Sequence, residues 1–422
     1  MTTARSRSAS AAIKAKTATS YCPIGVDRLS WLVLNTGSSS LKFGLYDTEA
    51  RTELVHGSIN WHVADAELTV RIGDDPEAQR SCTVADPGAA ATLAIQTVLD
   101  SAPDQNEIRG VGHRIVHGGI RFQESVRVDD QVEADIHQLA ELAPLHNPPA
   151  LTGLIAAQQA LPNLPQVAVF DTSFFKDLPR SSTTLPVPRR WTDDWGIRKF
   201  GFHGISHSYC AGRAAEILGR DPGSLRLVIC HLGNGCSASA ILGDKPVDTS
   251  MSFTPLDGLM MGTRSGSIDP GVVLHLLKAG KIDRAGIDHA LNHESGLLGV
   301  SGVAGDYRQV EAAAQSGNDQ ARLALEIYVA RLRGTIGAMA ATLGGIDALV
   351  FAAGVGENSV TLRSAACDGL AFMGIRLDPA KNAAKPVDAD IAAADATARV
   401  LVVHTQEELM IAREVRRVVG SG

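Results

Sequence analysis

The chain has 422 residues, 45% apolar and 20% charged. It is too long for one ordinary domain, and too apolar for disorder over most of its length. Thirty-nine lysines and arginines against 46 aspartates and glutamates give a net charge of −7, which argues against nonspecific binding to nucleic acid or an anionic membrane while permitting a local basic pocket for phosphate.

In chain order, residues 1–28 are rich in Ser, Ala, Thr, Arg and Lys and lack an apolar h-region. They read as a disordered extension, not a secretory signal, and contain few arginines for a transit peptide. The body then repeats one pattern, a short apolar run followed at once by a polar or glycine-rich loop. Trp31-Leu-Val-Leu34 leads into Asn35-Thr-Gly-Ser-Ser-Ser40, and Val167-Ala-Val-Phe170 into Asp171-Thr-Ser173. Leu227-Val-Ile-Cys230 leads into His231-Leu-Gly-Asn-Gly235, and Leu349-Val-Phe-Ala352 into Ala353-Gly-Val-Gly-Glu-Asn-Ser359. Val400-Leu-Val-Val403 leads into His404-Thr-Gln-Glu-Glu408. Runs of this length without alternation predict buried strands, whose C-terminal ends are where α/β proteins place ligands. Between them, Pro270 and Gly280 punctuate a helix, and an Ala/Leu/Arg-rich pattern predicts a long one over 319–342, with Gly334 and Gly337 as weak points. The fold class is α/β. The strand–turn–strand units at Leu32–Tyr46 and Leu227–Leu242 echo each other and suggest two related half-folds facing one cleft.

No apolar run approaches a bilayer span. The six cysteines (22, 82, 210, 230, 236, 367) show neither C-x-x-C nor zinc-finger spacing and read as reduced, mostly buried thiols of a cytosolic enzyme.

Several stretches carry chemistry. Asn35 to Lys42 offers a turn with hydroxyls, backbone amides and a lysine for a phosphate, although neither the Walker A nor the G-x-G-x-x-G pattern occurs in the chain. The glycines of 231–235 and 354–358 let backbone approach a ligand closely, as tight turns. Arg114 lies between Gly112-His113 and His117-Gly118-Gly119, and Arg264 within Gly262-Thr-Arg-Ser-Gly266. An arginine set among such small residues is left open to hold an oxyanion in bidentate fashion. His113/His117 and His203/His207 have zinc-like H-x-x-x-H spacing, but glycines interrupt both runs and no Glu follows the first His, so a histidine bonded to a phosphoryl oxygen fits better. Asp171 and Glu407-Glu408 are candidate carboxylates for Mg²⁺, which takes only one or two from a protein.

From about residue 31 to 418 the sequence resembles the acetate kinase family, within the acetate and sugar kinase/heat-shock/actin superfold. The resemblance is carried by Leu34-Asn-Thr-Gly-Ser-Ser-Ser-Leu-Lys42, Val111-Gly-His-Arg-Ile-Val-His-Gly-Gly119, Ala143-Pro-Leu-His-Asn-Pro-Pro149, Gly201-Phe-His-Gly-Ile-Ser-His207, Cys230-His-Leu-Gly-Asn-Gly235, Gly258-Leu-Met-Met-Gly-Thr-Arg-Ser-Gly266, Gly354-Val-Gly-Glu-Asn358 and Glu407-Glu408. It implies two ribonuclease-H-like (actin-like ATPase) domains facing a central nucleotide cleft: an acyl-substrate domain of 29–172 plus 408–422, and a nucleotide-binding domain of 173–407. It implies reversible in-line phosphoryl transfer from ATP to acetate, with Mg²⁺ (or Mn²⁺), in a cytoplasmic homodimer.

By the same resemblance, Asp171, His203 and Arg264 are catalytic, and Arg114 holds substrate with Arg264. Val116, Leu145, Phe202 and Pro255 line a small pocket for the methyl group. Lys42, the loop His231, Leu232, Gly233, Asn234, Gly235, the triplet Asp306, Tyr307, Arg308 and the loop Gly354, Val355, Gly356, Glu357, Asn358 bind ATP. Asn35 and Glu407 take the metal. The chain departs from the family pattern at Ser173-Phe174-Phe175, Ser252 and Ser267, none of them a proposed catalytic position. Because acetate is already ionised at neutral pH, Asp171 reads as an orienter of Mg²⁺, water or Arg and not as a proton acceptor. Alternatives are a propionate or butyrate kinase of the same fold and, from another class, a noncatalytic nucleotide switch.

Overall fold

A computed structural model describes residues 29–61, 66–101 and 107–420. The extension read at 1–28 lies outside the described residues.

The first sheet is built from β1 (Ser30–Thr36), β2 (Ser40–Asp47), β3 (Glu53–Asn60), β4 (Ala66–Ile72), β5 (Ala78–Cys82), β6 (Ile108–Ile115), β7 (Val126–Arg127) and β8 (Gln166–Phe170), in the order β5-β4-β3-β2-β1-β6-β8-β7. The second is built from β9 (Arg226–Leu232), β10 (Cys236–Leu242), β11 (Lys245–Thr249), β12 (Ala348–Ala352), β13 (Ala389–Asp390) and β14 (Arg399–Val403), in the order β11-β10-β9-β12-β14-β13.

The echo between the two hairpins extends to whole sheets. In β3-β2-β1-β6-β8 the successive pairings are antiparallel, antiparallel, parallel, parallel. The run β11-β10-β9-β12-β14 has the same series. The reason is local. A Gly/Ser turn returns the chain antiparallel, whereas a parallel neighbour needs a crossover, here the helices Pro87–Ser101, Asn147–Ala160 and Asp319–Thr342. The long helix runs unbroken through Gly334 and Gly337. All five predicted apolar runs are strands, and β8 and β12 are buried at every residue.

Between the sheets lie the helices Gly204–Leu218 and Glu407–Gly420. Their apolar faces form one core with Trp31, Val33, Val167 and Val169 of the first sheet and Ile229, Val350 and Leu401 of the second. The contact with β6 explains a glycine. A Cβ at Gly112 would come within 2.6 Å of both Ile411 and Val415. Gly112 therefore lets the C-terminal helix sit close to the strand. It does not open space around Arg114, as the sequence suggested.

Two loop readings need similar correction. His231 and Leu232 belong to β9, so the turn is only 233–235. The 354–358 stretch is a helical turn, Ala353–Asn358, entered at Ala353 with φ of 63°. Cys210, Cys230, Cys236 and Cys367 are buried free thiols and Cys82 is partly exposed. No helix among the described residues is long and apolar enough to cross a membrane.

Ile411 is fully buried where helix and sheet meet. Ile411→Ala should cost about 2–5 kcal/mol, read as a lowered denaturant midpoint. A shift worth less than about 1 kcal/mol would mean that this interface is not tightly packed.

Candidate active site

Strand ends of the two sheets meet, and Asn35, Arg114, Asp171, His231 and Glu407 come together there. At the end of β8, Asp171 receives both arms of the Arg114 guanidinium, Nε to Oδ1 at 3.1 Å and Nη2 to Oδ2 at 2.5 Å. The two are neighbours because β6 and β8 are paired strands. The Arg114 fork, expected to be open for an oxyanion, is thus largely occupied by a protein carboxylate. Burial pushes the Asp171 carboxyl up and Arg114 opposes it, while the guanidinium is held even more firmly protonated than usual.

Asp171 also acts through its backbone. Its carbonyl accepts the Gly204 N–H at 3.1 Å. That bond starts the helix Gly204–Leu218 and fixes the residue before it, His203, which sits in the left-handed region at φ 57°. Such a conformation in a non-glycine residue is a cost kept where position matters. A Cβ at Gly204 would lie 2.0 Å from the Asp171 carbonyl oxygen, so no other residue fits.

His203 stacks on His231 with ring centroids 4.1 Å apart. Its Nδ1 lies 2.9 Å from the Ser237 hydroxyl, and the other side of the same hydroxyl lies 2.7 Å from His207 Nε2. His231 Nδ1 lies 2.7 Å from Ser206 Oγ and 4.0 Å from Glu407. Burial, reinforced by neighbouring charges, pulls His203 and His207 well below the usual imidazole range. Burial pulls His231 to about 4.

Arg264 comes from the opposite wall. It donates Nη1 to the Pro255 carbonyl at 3.3 Å and Nη2 to His146 Nε2 at 3.1 Å. Because an arginine N–H can only donate, His146 Nε2 must be a lone pair, and burial with the charge of Arg264 lowers that imidazole to about 3. A side chain at Gly235 would reach the His203 ring at 3.3 Å and Arg264 Nη1 at 3.6 Å. Gly235 therefore floors the space between those two groups.

Val116 and Phe202 are buried in one apolar cluster with Phe200. Pro255 is buried beside Arg264, and Leu145 is exposed next to His146.

On the anionic side, Glu407 and Glu408 open the C-terminal helix, a position favoured for acids by the helix dipole. Burial would raise Glu407, but Arg114, His231, Lys42 and Asn35 outweigh it and hold it below the usual carboxylate range. Asn35 donates to Glu408 at 3.0 Å, and Lys42, its cross-strand partner, is raised chiefly by Glu408.

The stretches expected to meet ATP adjoin one another. Gly233 neighbours Ala353, Gly262 N–H donates to Asn234 O, and Gly305 packs on Gly262. Several of their side chains face elsewhere. Leu232 and Gly356 are buried, and Tyr307 is buried against Tyr328. Asp306 caps its own helix and pairs with Arg308. Glu357 accepts from His404 and from Thr405 N–H, Asn358 bonds Gly354 O, and Val355 packs on the core. What these segments turn outward is therefore mainly backbone and the exposed Asn234, Gly354, Asn358 and Arg308.

Sequence reasoning assigned no role to His146, Ser206 or Ser237, and it singled out His207 only for its spacing from His203, where the structure places it against Ser237. His146 had a usable signal, since it adjoins Leu145 in the quoted Ala143–Pro149 stretch. The two serines had none, because their partners lie 25 to 34 residues away.

A sequence model of the acetokinase family matches residues 30–413. The chain belongs to the acetokinase family. An acetate kinase of Gloeobacter violaceus is 50% identical over 396 residues, spanning 91% of this chain and 98% of that one. An acetate kinase of Nostoc sp. is 48% identical with the same coverage. Among solved structures, an acetate kinase from Porphyromonas gingivalis superposes with a TM-score of 0.82 at 38% identity, covering 93% of this chain and all of that one. A propionate kinase from Francisella tularensis superposes at 0.85 with 35% identity, covering 92% and 100%. The fold is thus that of the acetokinases, an actin-like arrangement of two sheets.

In this acetokinase-family chain, Gly204→Ala forces His203 away from Asp171. Overpacking of that kind costs about 1–3 kcal/mol. The variant should show a lowered melting temperature together with a loss of turnover larger than Ile411→Ala gives. Wild-type stability with wild-type turnover would show that the close approach is not required.

Proposed function

We propose that this chain is an acetate kinase, transferring the γ-phosphoryl group of ATP reversibly and in line to acetate to give acetyl phosphate and ADP. The observation that carries the reading is the meeting of His203 and Arg264 over Gly235, with the Arg114–Asp171 pair beside them.

Phosphoryl transfer asks for positioning and charge neutralisation more than for covalent chemistry. Acetate arrives ionised, so no strong base is needed. Asp171 has both carboxylate oxygens on Arg114 and serves to aim that guanidinium at the anionic substrates. Arg264, steered by the Pro255 carbonyl and His146, faces the transferring group with His203. Val116, Phe202, Pro255 and Leu145 enclose the methyl group. Lys42, the 231–235 turn, residues 306–308 and the 354–358 segment take ATP, largely through backbone.

Mg²⁺ fits the residues present. Glu407 is a single ionised carboxylate with the Asn35 amide beside it, and an ion that keeps waters and phosphate oxygens in its shell needs little more. Those two residues would hold it, or Mn²⁺, and the ion would neutralise charge on the phosphate oxygens.

We assign the acyl-substrate half to 29–172 plus 408–422 and the nucleotide half to 173–407, in a cytoplasmic homodimer. For the dimer the support is the helix Pro270–Lys278, whose sequence is mostly apolar yet which buries no residue; Leu274 is 67% exposed and Val272 48%. A helix apolar on several faces calls for a cover, and a second copy supplies one. Leu274→Asp should give a monomer in sedimentation; an unchanged dimer would place the interface elsewhere.

A propionate kinase is the second reading, favoured by the likeness to the solved propionate kinase. A nucleotide switch would have no use for an acyl pocket. The test is ATP turnover trapped as the hydroxamate with acetate, propionate and butyrate. Acetate should give the highest kcat/KM, and turnover independent of any acid would refute the kinase reading. Val116→Ala should move the acetate/propionate ratio toward propionate by roughly 1–3 kcal/mol. An unchanged ratio would remove Val116 from the pocket wall.

A further inference from the structure

Two buried groups beside His203 have no part in the mechanism above. Ser237 is fully buried, and its hydroxyl lies between His203 Nδ1 at 2.9 Å and His207 Nε2 at 2.7 Å. His207 is also fully buried, and its Nδ1 has no partner at all.

A serine hydroxyl has one proton to give and lone pairs to accept with. Burial, with the neighbouring charges, keeps both imidazoles neutral, so each carries one N–H. If Ser237 donated to His207, the His207 proton would sit on Nδ1, a buried N–H without an acceptor. If both rings donated to Ser237, its own proton would be stranded between two N–H groups. Orphaned buried donors are the rarest unsatisfied groups in folded proteins, and an unused acceptor is less costly. One arrangement strands only an acceptor. His207 Nε2–H donates to Ser237 Oγ, Ser237 O–H donates to His203 Nδ1, and the His203 proton is left on Nε2. That nitrogen faces the floor of the cleft, 3.4 Å from where a Cβ on Gly235 would be, beside Arg264.

We propose that Ser237 and His207 are positioning residues that lock His203 in its Nε2-protonated tautomer, so that a neutral N–H, and not a lone pair, points at the transferring phosphoryl group. The proposal rests on the reading that His203 meets that group. A preset donor needs no reorganisation as charge develops, whereas the other tautomer would aim a lone pair at an anionic oxygen. The stacked His231 does not compete for the chain, because its Nδ1 is engaged with Ser206.

The direct test is nitrogen NMR of the full-length wild-type protein labelled with ¹⁵N-histidine, the His203 signals being assigned by their loss in His203→Gln. A protonated, pyrrole-type Nε2 with a pyridine-type Nδ1 is expected, and the reverse pattern would overturn the proposal. This readout needs no activity and no variant of the relay, so it stands apart from the acetate-dependence assay, which judges the parent reading. Kinetics gives the second arm. Ser237→Ala and His207→Leu should each lower kcat about 10–100-fold, with KM for ATP and acetate little changed. His207→Gln, whose amide N–H can reach the serine, should recover most of the loss. Wild-type kcat in Ser237→Ala, or a His207→Gln enzyme no better than His207→Leu, would contradict the relay.

Discussion

The cleft is organised around Asp171. Its side chain receives Arg114, its carbonyl receives the Gly204 N–H, and its own N–H donates to Ile115 O at 2.9 Å. One residue thereby joins the end of β6, the end of β8 and the first turn of the helix that carries His203. The consequences are electrostatic as well as geometric. Arg114, held in place, helps keep Glu407 ionised against its burial. Burial raises the Asp171 carboxyl, yet both of its oxygens are engaged by the Arg114 guanidinium, an arrangement for positioning that suits a substrate already ionised.

The two sheets share one strand order and one series of pairings, and this shared topology places the ends of β1, β6, β8, β9, β12 and β14 around a single space. Opposite walls then contribute different chemistry. The first sheet brings Asn35, Lys42, Arg114 and Asp171, and the second brings His231 and the 233–235 turn. His203, on the connection between them, and Arg264, on a loop after β11, close the arrangement. The buried helices between the sheets fix how the halves meet, and Gly112 shows how closely they do so.

Much of this could be read from the sequence, and the physical reason is range. Buried strands such as 167–170 and 349–352 are declared by their own residues, since a fully covered strand has no need to alternate. The helix 319–342 is declared by its composition. The residues at strand ends, Asp171 and His231 among them, follow from the rule that α/β sites gather there. What escaped depends on partners far along the chain. The glycines around Arg114 suggested an open guanidinium, but Gly112 answers to a helix some 300 residues later and Asp171 takes the guanidinium itself. His146 matters because Arg264 donates to it across 118 residues. The 354–358 turn was read from its glycines alone, which serve a helical turn as readily as a loop.

The central claim is that Asp171 acts through Arg114 and not as an independent proton acceptor. A double-mutant cycle in kcat/KM for acetate, using Asp171→Asn, Arg114→Ala and the double variant, tests it directly. If the two residues work as a unit, the double variant should lose no more than the more damaged single variant, leaving a coupling of about 0.5–3 kcal/mol or more. Losses that simply multiply would show that Asp171 has a role of its own in the chemistry and would contradict this account.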